Sequence, residues 1–161
     1  MVRTYLLTAL LGIVPVSELR GAIPFAYFNG VPLWLSAVIG VLSNALVPFL
    51  GFVFLATLHR LLDKWGVYHR FFEKTVERAR NKVGDKVRKY GLLGLMLFVA
   101  IPLPITGAWT GTIGAWILGL DRKKSILFIL LGVLIAGIIV TTVVYTGAGI
   151  ASLFTKEVNI Q

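Results

Sequence analysis

Residues 90–124 read YGLLGLMLFVAIPLPITGAWTGTIGAWILGLDRKK. No charge interrupts them from Tyr90 to Leu120, and a block of three cations closes them at Arg122, Lys123 and Lys124. The centre of this stretch is a poor helix interior. Pro102 and Pro104 each lack an N–H donor, and Gly107 loosens the chain beyond them. The two flanks, 90–101 and 108–119, each reach about 18 Å as helices, a little over half of a hydrocarbon core about 30 Å thick. Such a stretch enters a membrane and returns on the side it left.

The charges on either side test this reading. Residues 59–90 carry ten basic and four acidic residues, and Asp121 precedes three further cations. If 90–120 crossed once, these basic segments would face opposite sides. As a re-entrant hairpin it leaves both on the cytoplasmic face, as the positive-inside rule requires. Residues 59–90 and 121–124 are therefore expected in the cytoplasm and both termini outside, with Arg3 the one contrary charge.

The 161 residues are 57% apolar and 14% charged, with 16 Lys and Arg against 7 Asp and Glu. A soluble domain averages about 45–50% apolar and about 25% charged. This composition excludes a soluble enzyme, a disordered tail and a conventional nucleic-acid-binding domain, and points to a multi-pass protein of the cell membrane. The chain has no cysteine, which removes disulfides and thiolate chemistry. The start, Arg3 followed by apolar residues 4–14, has a signal-peptide outline, but Pro15 and the absence of a small-residue cleavage site argue against one.

The first half repeats the pattern of the second. Residues 4–14 are too short to cross, and residues 22–29 form a second short helix, so 4–30 is expected to be a re-entrant hairpin with its tip at 15–21. The Gly30-Val31-Pro32 break then starts a span over 33–58, kinked by Pro48. After the basic segment come the hairpin 90–120 and a second span, 125–154. The expected fold is all-α: an inverted repeat, 1–58 and 90–155, of hairpin plus span. Gly21-Ala22 and Gly107-Ala108 take matching places in the two halves, an arrangement typical of secondary transporters. Between the halves, Phe72, Val76, Ala79, Val83, Val87 and Tyr90 form one apolar stripe on an otherwise cationic helix at 59–89. Its residues 70–89 suit the surface of an anionic-lipid membrane; a solvated connector packed on the bundle is the alternative.

Glu18 and Arg20 are the only charges in a hydrophobic hairpin tip. Charges at membrane depth cost roughly 2.5–3.5 kcal/mol each and tend to line a cavity or pair. Glu18 can carry a proton, and Arg20 can fork onto a phosphate or carboxylate. Half-helices beginning at Gly21-Ala22 and Gly107-Ala108 would aim free N–H groups at an anion. Thr106, Trp109 and Thr110 add polar groups, although satisfying the unwound backbone is an equal demand on them. Asn44, in mid-span, either faces the cavity or makes a helix–helix hydrogen bond. His59 and His69 lack metal-ligand spacing, no nucleotide-binding or nucleophile motif is present, and no cofactor or enzymatic activity is expected.

The segments Ser17-Glu18-Leu19-Arg20-Gly21-Ala22-Ile23-Pro24 and Ile101-Pro102-Leu103-Pro104-Ile105-Thr106-Gly107-Ala108-Trp109-Thr110-Gly111 resemble the two signature segments of the small multi-drug export proteins. The resemblance covers nearly the whole chain. It implies kinship with the DedA/VTT superfamily, whose members have two re-entrant hairpins and are linked to lipid-carrier transport and lipid scrambling. Proteins of that type carry further acidic and arginine residues in the second half; here the second hairpin has none.

The expected function is a small secondary transporter or lipid translocase, proton-linked, for an anionic or amphipathic substrate such as a lipid phosphate. The alternatives are an exporter of lipophilic cations, with Glu18 as counter-charge, and a non-transporting membrane scaffold. A homodimer or higher oligomer is expected through glycine-rich faces such as Gly107-xxx-Gly111 and Gly132-xxx-Ala136.

Overall fold

The computed structural model describes residues 1–62, 90–102 and 106–158. Most of the basic helix expected at 59–89, and the centre of the second hairpin at 103–105, lie outside them. The described residues hold seven helices and no strand: α1 (Val2–Ile13), α2 (Glu18–Phe28), α3 (Leu33–Ala45), α4 (Val47–Leu62), α5 (Tyr90–Ala100), α6 (Ala108–Ile117) and α7 (Arg122–Val158). Two stretches, Leu33–Leu58 and Arg122–Gly147, are long and apolar enough to cross a membrane. The first consists of α3 and α4, which meet at Leu46. The break falls two residues before Pro48, whose ring crowds the preceding turn.

The chain divides into two compact units, 1–44 with 135–161, and 45–134. In the first, α1 and α2 pack on each other across the turn at 14–17. Each is short, about 16–18 Å. α2 ends in a Schellman cap: Gly30 has φ +82°, its N–H donates to Tyr27 O, and the Val31 N–H donates to Ala26 O. Only a residue without Cβ takes that φ without strain. α3 then returns along α2. A Cβ on Gly40 would stand 2.7 Å from Ile23, one on Gly12 would strike the Ser43 hydroxyl, and one on Gly137 would strike Val41. These three close approaches bind α2, α1 and α7 to α3. The buried hydroxyls of this unit turn back on their own helices: Thr8 donates to Thr4 O at 2.7 Å and Ser43 to Ile39 O at 2.7 Å.

In the second unit α4 packs on α6, with the Thr112 side chain and the Trp109 ring against Gly51. Val99 of α5 is the centre of a second contact. It fills the space left by Gly111 of α6 and by Gly132 of α7, with Ile129 and Val133 buried alongside. Gly111 and Gly132 therefore serve packing within the chain. α6 ends like α2, with Gly119 at φ +64°, its N–H on Trp116 O, and the Leu120 N–H on Ala115 O. α7 starts at Arg122, three residues before the expected Ser125. The Asp121 carboxylate accepts the Lys124 N–H at 2.8 Å and so caps the helix.

Aligning the two matching C-caps, Gly30 with Gly119, puts Glu18 opposite Gly107. The expected pairing of Gly21 with Gly107 is shifted by three residues. The reason is that α2 begins at Glu18 rather than Ala22: the segment 18–21 has no proline to stop it, and the turn at 14–17 supplies acceptors for its first N–H groups.

Candidate functional site

The first unit gathers its unusual chemistry where α1 turns into α2. Glu18 is the first residue of α2, is 6% exposed, and has φ +50°. Among the described residues it is the only non-glycine in the left-handed region, which costs an L-residue with a Cβ roughly 1–2 kcal/mol. Such strain persists only where the surroundings impose it, and it concentrates at functional positions. The Glu18 N–H donates to Val14 O at 3.0 Å. Arg20, half-buried two residues on, feels the Glu18 charge.

Gly21 and Ala22 lie inside α2 rather than at its start. The Gly21 N–H donates to Ser17 O at 3.2 Å, and a Cβ at Gly21 would strike the Ser17 hydroxyl. Ala22 is fully buried inside α2. Neither opens a helix, because the positive end of the α2 dipole lies at Glu18 itself. Gly21 lets Ser17 lie close, and Ala22 packs.

Asn44 belongs to the same neighbourhood. Ile23 opposite Gly40, and Gly12 beside Ser43, set the register of α2 and α1 against α3. By that antiparallel register Asn44, one turn beyond Gly40 on α3, falls opposite Leu19, next to Glu18 on α2. It is fully buried, and neither its amide nitrogen nor its side-chain oxygen has a hydrogen-bond partner among the described residues. Pro48, four residues on, has no N–H to give to the Asn44 carbonyl. An unpartnered buried polar group loses about 1–3 kcal/mol of solvation, so it calls for a functional explanation. Replacing Asn44 by Leu should therefore raise the melting temperature. If the carboxamide serves a ligand, the same variant should lose transport. A variant that melts earlier than wild type would show instead that Asn44 is a structural hydrogen-bonding group.

In the second unit α6 begins at Ala108, as expected. Gly107 is its buried N-cap in extended conformation, and its carbonyl accepts the Gly111 N–H at 2.8 Å. The Thr106 hydroxyl donates to Ile101 O, and the buried Thr112 hydroxyl donates to Ala108 O at 2.6 Å. These threonines are engaged in tying the backbone together. Trp109 is half-buried beside Gly51, whereas Thr110 is exposed and lines a cleft of about 630 Å³ between α5 and α6. The sequence reading missed this cleft; its signal was the glycines at 91, 94, 111 and 114, which leave two facing helices without side chains.

A family described as "Putative small multi-drug export protein" matches residues 18–139. The match starts at Glu18, takes in the first signature segment except Ser17 and all of the second, and extends into each of the two apolar spans. No curated protein and no solved structure matches the chain. With two helices of spanning length, the apolar composition and a match over most of the sequence, this membrane protein belongs to the small multi-drug export protein family.

Proposed function

We propose that the protein is a proton-linked secondary transporter or lipid translocase for an anionic or amphipathic substrate, such as a lipid phosphate. The carrying observation is Glu18: a buried carboxylate in a strained backbone, at the start of a short helix, beside Arg20 and level with the unpartnered Asn44. In this reading Glu18 takes and releases the proton. Arg20 and the N-terminal end of α2 attract the anionic group, and Asn44 orients it by hydrogen bonds. In the second hairpin Gly107, Ala108, Trp109 and Thr110, at the start of α6, are the corresponding substrate-binding candidates of that half. The family description favours a second reading, export of lipophilic cations with Glu18 as counter-charge. The test is substrate flux in proteoliposomes under an imposed pH gradient. Anionic amphiphiles should move with the gradient and exchange for protons; flux of lipophilic cations alone would select the second reading, and no gradient-dependent flux of either would reject both.

The architecture that goes with this mechanism is an inverted repeat of re-entrant hairpin plus span. Its support is the pairing of short helices α1 with α2, the similar lengths of α5 and α6, and the shared glycine caps that end α2 and α6. Residues 59–90 and 121–124 then both face the cytoplasm. Single cysteines at Lys82 and Lys123 should label with a membrane-impermeant thiol reagent only from inside. Labelling of Lys123→Cys from outside and Lys82→Cys from inside would make 90–120 a true crossing and dissolve the repeat.

A further inference from the structure

The cleft between α5 and α6 belongs to the second unit, whereas Glu18 belongs to the first. Tyr90, Gly94 and Leu97 on one side, and Gly114, Leu118 and Leu120 on the other, are among its walls. Apart from the Thr110 hydroxyl and the Tyr90 phenol, its side chains are apolar. Two of its glycines make it deep: a Cβ on Gly114 would meet nothing within 4 Å, and one on Gly94 would meet only Tyr90 of its own helix at 3.4 Å. At these two positions the floor is thus backbone.

One end of the cleft is marked by charge. Tyr90 directly follows Arg88 and Lys89, and Leu120 is followed by Asp121, Arg122, Lys123 and Lys124. The Asp121 carboxylate is engaged in capping α7, and the Arg122 guanidinium lies 5.6 Å from the Phe52 ring centroid. Lys123 and Lys124 are exposed. The segment that leaves the cleft at Leu120 therefore brings cations, and the cleft behind it is uncharged.

We infer that the α5–α6 cleft is a binding site for one acyl chain of an anionic phospholipid of the surrounding membrane, with the headgroup held at the Tyr90–Leu120 end by Lys123 and Lys124. Apolar burial provides for the tail, and charge complementarity distinguishes an anionic headgroup from a zwitterionic one. The site stands whether or not Glu18 couples to protons, so the two readings fail separately.

The test uses the full chain in phosphatidylcholine vesicles with a small fraction of phosphatidylglycerol carrying a diazirine in its acyl chain. After illumination, peptide mass spectrometry should place adducts on 94–98 and 114–118. Phosphatidylcholine with the same diazirine at the same fraction should label these peptides much less. Gly114→Leu places its Cβ where nothing lies within 4 Å and should abolish the adducts without lowering the melting temperature; Gly94→Leu provides a second filled variant should the first not fold. The double variant Lys123→Ala/Lys124→Ala should reduce phosphatidylglycerol labelling to the phosphatidylcholine level. Salt of about 1 M should do the same, since it shortens the Debye length to about 3 Å. Equal labelling by the two lipids, or adducts that persist in a folded filled variant, would overturn the proposal. Absence of adducts in wild type would also overturn it, leaving the cleft to another segment of this chain or to a second copy.

Discussion

Glu18→Gln should keep the fold and remove the pH dependence of transport altogether, because glutamine is nearly isosteric and cannot titrate. Arg20→Lys keeps the charge and loses the fork, so it should weaken substrate affinity far more than charge counting implies. Both residues are tied to one another electrostatically. Removing one charge leaves the other uncompensated, which destabilises the fold, though by less than for a fully buried pair because Arg20 is only half-buried. Melting temperature and flux must therefore be measured on the same purified variants. Coupling through Glu18 predicts a Glu18→Gln protein that stays folded and whose residual flux is insensitive to pH. Wild-type pH dependence in that variant would remove Glu18 as the coupling group. If both single variants merely melt early, and the charge-free double variant Glu18→Gln/Arg20→Gln regains full activity, the pair is scaffolding.

A second large effect separates two glycines that look alike in sequence. Gly132→Ala should destabilise the protein, and Gly114→Ala should stabilise it. A Cβ at Gly132 would lie 2.7 Å from the Met96 carbonyl oxygen and 2.8 Å from Val99 Cβ. The carbonyl belongs to helix α5 and cannot rotate away, so the two helices must part; overpacking of this kind costs about 1–3 kcal/mol. Gly132→Val should cost more. At Gly114 there is nothing within 4 Å, and alanine favours a helix interior over glycine by about 1 kcal/mol. Thermal unfolding in one detergent, with all three variants side by side, measures the contrast. An unchanged melting temperature for Gly132→Ala would mean that α5 and α7 are not packed at this distance. The pair also bears on oligomerisation: a substitution at Gly132 that shifted the oligomeric state without affecting stability would return this glycine to a contact between copies.

Much of the helical layout was legible because it depends on local properties of the chain. An uncharged run long enough to cross a bilayer identifies itself, and both spans fall close to where hydropathy puts them. Gly30 ends α2 and Gly119 ends α6, since a left-handed C-cap needs a residue without Cβ. The start of α6 at Ala108 follows from Pro102, Pro104 and Gly107, and the break at Leu46 from Pro48. The two segments that carry the family resemblance are likewise short, linear stretches, which a sequence displays directly.

What only the tertiary structure decided concerns groups whose surroundings are distant in sequence. Composition placed Glu18 in an apolar segment, but its burial and left-handed backbone depend on α1 and α2 folding against each other. The start of α2 at Glu18 depends on acceptors in the turn at 14–17, and this moved Gly21 and Ala22 from the helix end into its body. Asn44 had two possible roles in the sequence; the fold buried it without supplying a partner among the described residues. Among the glycines, nothing in the one-dimensional pattern distinguishes Gly132, closed against a carbonyl, from Gly114, open onto a cleft. The physical reason is the same throughout. Helix formation follows from hydrogen bonds four residues apart and from the apolarity of a continuous segment, whereas burial, close approach and cavities are set by which helices meet and in what register.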